Sequence, residues 1–243
     1  MRIAALIPAR IGSTRLPHKL LLPLGEVPVI VQTYRQVIRS IADEVWVVAE
    51  DETICKVMAQ HGGNCLHLKG DFRNGTERCL AAFVQFTNQG KQWDGLINVQ
   101  GDEPLISPHL IDDIIQYMKH SEVIVTAACV ASGTEVTDPD TVKVVFGQSR
   151  QVLYFSRASI PHGARQYWKH IGIYGFPRQL ISTIQCLPPS SLEDSENLEQ
   201  LRWLDHGLPI HVITTSHTSH AIDTIEDYHR VLRLIETHES RCA

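Results

Sequence analysis

The sequence predicts an α/β fold built on a mainly parallel sheet. Three observations carry this: short apolar runs of strand length, segments of helical apolar spacing between them, and turn or cap residues at their junctions. Ile3 to Ile7 is the first apolar run and reads as a buried strand ended by Pro8. A loop rich in Gly, Ser, Thr and Pro follows. Val29 to Arg39 has apolar residues near helical spacing, and Val45 to Ala49 is a second buried-strand run. Asp51 is placed to cap a helix that ends near Gly62-Gly63. Thr76 to Phe86 reads as a helix, and Leu96 to Val99 as a strand that stops at Gly101. Pro108 suits a helix start, with Leu110, Ile111, Ile114, Ile115 and Met118 on one face. Val123 to Val130, Val142 to Phe146, Gln151 to Phe155 and Ile171 to Phe176 read as extended, so the second half is richer in strands. Leu192 to His206 reads as one helix, Ile210 to Thr214 as a strand and Thr224 to Thr237 as a closing helix. With no repeat, low-complexity tract or Gly/Ser linker, residues 1–243 read as a single domain with a small strand-rich lobe in the second half.

Composition narrows the function. The 243 residues are 43% hydrophobic and 20% charged, with 22 Lys plus Arg against 27 Asp plus Glu. A net charge of -5 argues against a nucleic-acid binder, so an anion site must be a local cluster. No stretch approaches the ~20 apolar residues of a membrane span, and the N-terminal apolar run is too short for a secretory signal. The expected location is the cytoplasm. The six cysteines form no C-x-x-C pair and are irregularly spaced. Reduced thiols are therefore expected rather than a disulfide framework or a zinc site.

Ligands in folds of this class bind beyond the carboxyl ends of the strands, and the unusual local sequences lie there. From Pro8 to Lys19 the loop after the first strand carries Arg10, Arg15 and Lys19. Such cations suit a triphosphate, whose charge they offset and whose orientation they set; a solvated basic loop would look the same. It is neither a Walker A loop nor a G-x-G-x-x-G turn. Asp102 and Glu103 directly follow a strand, and Asp223 stands at another strand-to-helix junction. Mg²⁺ binds through one or two carboxylates plus substrate phosphates, which makes Asp102 and Asp223 metal-ligand candidates; for Asp223 or Thr224 the alternative is plain helix capping. Asn74-Gly75-Thr76-Glu77-Arg78 opens a predicted helix, where backbone N–H groups could meet a base edge or an anion, or Thr76 could simply cap it. Arg157 suits a bidentate carboxylate contact. His170 and Tyr174, four apart on a strand, share a side. Glu199 and Arg202 could be an exposed helical pair. His217 and His220 have a spacing compatible with metal binding, but no Cys or third His supports it.

Taken together these motifs resemble one family. The ordered set I-P-A-R-x-G-S-T-R-L-P-x-K, N-G-T-E-R, V-Q-G-D-E-P, Y-F-S-R-A, H-I-G-I-Y-G, L-E-Q-L-R and I-D-T-x-E-D, from Ile3 to about Arg233, is similar to the 3-deoxy-manno-octulosonate (KDO) cytidylyltransferases. The resemblance implies a doubly wound sheet flanked by helices, of the nucleotide-diphospho-sugar transferase kind. It implies a homodimer, Mg²⁺ as cofactor, and a reaction of CTP with KDO to give CMP-KDO and pyrophosphate for lipopolysaccharide synthesis. On that pattern Arg10, Arg15 and Lys19, with Pro8 and Ala9 of the same loop, face the triphosphate, and Arg10 and Lys19 offset the leaving pyrophosphate. Asn74, Gly75, Thr76, Arg78 and Gln100 lie around the cytidine. Asp102 and Asp223 hold Mg²⁺, and Arg157, His170, Tyr174, Glu199 and Gln200 surround the sugar acid. Three departures stand out: His18 where the family usually has Gly, Ile225 where Pro is common, and a short segment from His162 to Tyr167. The alternatives are a cytidylyltransferase for an amino-substituted KDO or another sugar acid, and a non-catalytic nucleotide sensor.

Overall fold

The structure, a computed structural model, describes residues 1–12, 15–218 and 220–242, without the side chains of 238–242. The contacts of the chain divide it into two compact units interleaved in sequence. The first comprises Arg2–Trp93, Asn98–Asp112 and Ser219–Ala243; the second comprises Met1, Asp94–Ile97 and Asp113–Thr218.

The first unit starts with β1 (Ile3–Ala9), every residue of which is buried, as the apolar run predicts. A two-residue ribbon, β2 (Pro23–Leu24) and β3 (Val27–Pro28), leads into α1 (Val29–Val37). Then follow β4 (Glu44–Ala49), α2 (Glu52–Gln60), β5 (Cys65–His67), α3 (Gly75–Asn88) and β6 (Gly95–Val99), whose last two residues belong to this unit. β1 pairs with β4 and β4 with β5, both in parallel. In sheet order β6 lies beside β1, then β4, then β5. Asp51 caps α2 as expected, accepting the N–H of Thr53 at 2.6 Å. Trp46, Phe83, Phe86 and Trp93 interlock under the sheet with ring centroids 4.9 to 5.8 Å apart. Helix α4 (Pro108–Met118) begins here and buries Leu110, Ile111, Ile114, Ile115 and Met118, the face its spacing predicts.

The second unit holds β7 (Ile124–Val130), β8 (Lys143–Phe146), β9 (Val152–Ser156), β10 (Trp168–Pro177), α5 (Arg178–Gln185), α6 (Ser191–Glu196), α7 (Gln200–Asp205) and β11 (Ile210–Thr214). β11 joins β7 in parallel; β10 pairs antiparallel with β7 and β8, and β8 with β9. The antiparallel β8–β9–β10 set is the strand-rich part that the second half predicts. The last helix, α8 (Ile225–Cys242), returns to the first unit. The mixed but mostly parallel arrangement with flanking helices is the doubly wound class expected.

Three expectations are corrected. The helix read over 192–206 is two short helices, because Asn197 adopts φ 52° and its N–H closes on Glu193; Asn tolerates this left-handed conformation better than most residues. Helix α5 was not foreseen, since only Ile181 and Ile184 are buried on it, too few to give a period. Cys55 and Cys65 are a disulfide rather than two thiols. Helix α2 turns back onto β5 and brings their Cα atoms to 5.2 Å across ten residues, a proximity that sequence spacing does not report.

Candidate active site

The ends of β1, β4 and β6 meet around a cavity of about 350 Å³ in the first unit. β1 supplies Pro8 and Ala9, and the loop after it Arg10, Arg15 and Lys19. Glu50 follows β4; Asn74, Gly75 and Arg78 open α3; Gln100, Gly101 and Asp102 follow β6; and Asp223 precedes α8. Five cations (Arg10, Arg15, Lys19, Arg73, Arg78) line it against three carboxylates. In a chain of net charge -5 this is the local basic cluster that an anionic ligand needs. Ser13 and Thr14 of the basic loop lie outside the described residues.

Two glycines let these strand ends meet. A Cβ on Gly101 would stand 2.8 Å from the carbonyl oxygen of Pro8, and one on Gly75 would stand 2.8 Å from its ring. Pro8 is thus sandwiched between the two motifs N-G-T-E-R and V-Q-G-D-E-P. Thr33 of α1 fixes the same place by donating to the Gly101 carbonyl at 2.9 Å. Asn98, fully buried on β6, donates to Thr76 at 2.8 Å and ties the start of α3 to the sheet. Thr76 is therefore not the cap of that helix; Asn74 is, accepting the Glu77 N–H at 2.9 Å.

The carboxylates sit in one knot. The Lys19 ammonium is 2.5 Å from Asp102 and 2.9 Å from Asp223, and Arg15 reaches the other oxygen of Asp223 at 3.1 Å. Burial disfavours the charged Lys19, but attraction and hydrogen bonds from Asp102 and Asp223 outweigh it and raise its pKa. A main-chain bond from Ile222 N–H to the Asp102 carbonyl, 3.0 Å, holds the two segments side by side. Asp223 does not cap α8. Thr224 and Asp227 do so reciprocally, at 2.9 and 3.2 Å, which leaves the Asp223 carboxylate to the cavity. Lys19, expected to face phosphate, here bridges Asp102 and Asp223, the two residues expected to hold the metal.

Arg78 is buried, donates to the Leu68 carbonyl at 2.8 Å, and lies over the Phe72 ring at 4.9 Å. Burial lowers its pKa, partly countered by Glu50. Sequence reasoning missed Glu50, Phe72 and Arg73. The position of Glu50 just past a strand end was the available signal; nothing local marks Phe72.

The residues expected around a sugar acid all lie in the second unit. His170 and Tyr174 do meet, with ring centroids 5.4 Å apart, and Tyr174 packs edge-on against Trp203. The Thr126 hydroxyl lies 2.8 Å from both His170 Nε2 and the Ile173 carbonyl, and so ties the imidazole to the strand. Burial lowers the His170 pKa to about 3 and raises that of Tyr174, with Glu199 adding to the latter. Arg157 is engaged by carbonyls: Glu196 at 2.9 Å, Pro139 at 3.0 Å and Asn197 at 3.4 Å. Its own carbonyl accepts from the fully buried Lys143 at 2.6 Å. Gln200 is buried, and Arg202 is buried on Glu193 rather than exposed beside Glu199. Among the described residues no three His, Cys, Asp or Glu form a metal-holding group, His217 and His220 included.

Known proteins resemble this chain in sequence and in structure. A family model described as cytidylyltransferase matches residues 4–210. The 3-deoxy-manno-octulosonate cytidylyltransferase of Rickettsia canadensis is 33% identical over 235 residues, 96% of each chain. The 8-amino-3,8-dideoxy-manno-octulosonate cytidylyltransferase of Shewanella amazonensis is 37% identical, over 95% of this chain and 97% of that one. A solved structure of CMP:2-keto-3-deoxy-manno-octonic acid synthetase complexed with CTP superposes with a TM-score of 0.91 at 31% identity, over 98% of this chain and all of that one.

Proposed function

Since the chain belongs to the 3-deoxy-manno-octulosonate cytidylyltransferase family, we propose that it transfers CMP from CTP to the anomeric hydroxyl of KDO and releases pyrophosphate. The observation that carries this reading is the convergence of Asp102 and Asp223 on one cationic atom, inside a cavity ringed by Arg10, Arg15 and Arg78. The relative solved with CTP and the KDO-specific relatives support the choice of nucleotide and acceptor.

Two hard carboxylate donors held at one point fit Mg²⁺, which completes its shell with phosphate oxygens and water. Asp102 and Asp223 would hold it; bound there, it would withdraw charge from the α-phosphate and make the sugar hydroxyl easier to deprotonate. The chain's own cations do the rest. Arg10, Arg15 and Lys19 are placed to take up the charge that builds on the leaving pyrophosphate, and they orient the triphosphate for in-line attack. The Lys19 ammonium, paired here with Asp102 and Asp223, would be released toward phosphate were those carboxylates to hold the metal. Asn74, Gly75, Thr76 and Gln100 are assigned to the cytidine, with Gly75 set close against the Pro8 ring. Arg157, His170, Tyr174, Glu199 and Gln200 are assigned to the sugar acid. A neutral His170 and a protonated Tyr174 offer it hydrogen bonds rather than charge, and Arg157 acts through the loop carbonyls it holds.

The same reading places the protein in the cytoplasm, where CTP is made, supplying activated sugar for lipopolysaccharide. None of the described helices is long and apolar enough to cross a membrane. A homodimer is part of the reading: Val130 and Leu153, 50% and 61% exposed on the second unit, are apolar surface for a second copy to cover. Light scattering that returns a monomer at micromolar concentration would remove that part.

The decisive experiment crosses four nucleoside triphosphates with KDO, its 8-amino-8-deoxy analogue and sialic acid, with Mg²⁺ present, and reads pyrophosphate release. CTP with KDO should give the highest kcat/KM. Preference for the amino analogue, the acceptor in the name of the Shewanella relative, would select the second reading. CTP binding with no pyrophosphate from any acceptor would leave only a nucleotide sensor.

A further inference from the structure

Glu50 stands at the end of β4 in the same cavity, and no step above uses it. One carboxylate oxygen accepts the N–H of Ile11 at 2.9 Å and that of Gly12 at 3.4 Å. The other accepts from Arg78 Nη2 at 3.2 Å. Two backbone donors of a basic loop and a buried guanidinium are the kind of donor set that receives a phosphate oxygen. Here an anion of the protein itself fills it. The Arg78 side chain is only 6% exposed, whereas that of Glu50 is 34% exposed. The carboxylate therefore has an open path to water and the guanidinium does not.

We infer that Glu50 is an internal stand-in for a phosphate: it holds Ile11, Gly12 and Arg78 in place in the free protein and is displaced from them when the triphosphate binds. The inference rests on the nucleotide reading above. Its physical basis is simple. Two anions cannot share one set of donors without repulsion. The retained carboxylate orders the loop in the free protein and weakens the binding of every triphosphate. Glu50 is thus a positioning residue that tunes nucleotide affinity, not a catalytic one.

Glu50→Gln tests this, because it keeps the side chain's shape and one acceptor while removing the charge. By calorimetry on the full chain, the variant should bind CTP and inorganic tripolyphosphate roughly three- to tenfold more tightly than the unsubstituted protein. Binding of cytidine should not change. The gain should shrink as salt is raised, because the lost term is a charge repulsion; a purely structural effect would not follow salt in this way. Glu50→Ala, which removes the carboxylate outright, should shift affinity in the same direction. If the unsubstituted protein binds CTP and both variants bind triphosphates equally or more weakly, or if neither variant folds, the inference is overturned while the nucleotide reading stands. If the unsubstituted protein binds no nucleoside triphosphate, the nucleotide reading fails and this one with it.

Discussion

His18 stands beside Lys19 with φ 56° and ψ 22°, a left-handed conformation that favours glycine. The family's usual Gly at this place thus has a backbone reason, and this chain bears a side chain against it. His18→Gly should keep turnover and move Tm by only a few degrees, since relief of strain and the added freedom of the unfolded chain nearly offset. His18→Val at the same φ should cost about 1–2 kcal/mol, and equilibrium unfolding with matched m-values would measure it. Asp102 can be tested as directly. Asp102→Asn preserves shape but loses the charge that faces Lys19 at 2.5 Å and is proposed to hold Mg²⁺. Turnover should fall by about a thousandfold or more with circular dichroism unchanged; substantial CTP-dependent turnover would remove Asp102 from the assignment. Asp102 was legible as a carboxylate just past a strand, and Asp223 as one just before a helix. That Lys19 lies between them was not, because the partners are 83 and 204 residues away in sequence.

At the scale of elements, three strand ends are drawn together by what is missing at two positions. Gly101→Ala would drive a methyl to 2.8 Å from a backbone oxygen that no side-chain rotation can relieve. A loss of roughly 1–3 kcal/mol is expected, together with a higher KM for CTP as the Gln100–Asp102 segment shifts. An unchanged Tm and KM would show that the segment yields freely. The elements themselves were largely readable. Apolar runs placed β1, β4 and β6, and one-sided spacing placed α4. Helices α5, α6 and α7, at 8, 6 and 6 residues, were not readable as separate pieces. Short helices carry too few buried positions to set a period, and their ends are decided by packing.

Over the whole molecule, pH links the interior of the second unit to stability. His170 has a folded pKa of about 3 against 6.5 when unfolded. The unfolded chain therefore takes up a proton below about pH 6.5 that the folded chain refuses until about pH 3. Stability should fall as pH drops through that window, by up to about 5 kcal/mol from this residue alone. Urea titrations at a series of pH values would show the slope. His170→Gln should flatten it while lowering stability at neutral pH, and an equal slope in the variant would assign the effect to other groups.

Sequence by itself determined the alternation of strands and helices, the basic loop after β1, the carboxylates after β6 and before α8, and the family. Each of these is local chemistry, repeated at a spacing the backbone imposes. Only the tertiary structure decided that Lys19 bridges Asp102 and Asp223, that Cys55 meets Cys65, that Asn74 rather than Thr76 caps α3, and that Glu50 accepts from Ile11, Gly12 and Arg78. These depend on distances between segments far apart in the chain. Parallel pairing and the tight approach at Gly75 and Gly101 set those distances, and no spacing along the sequence encodes them.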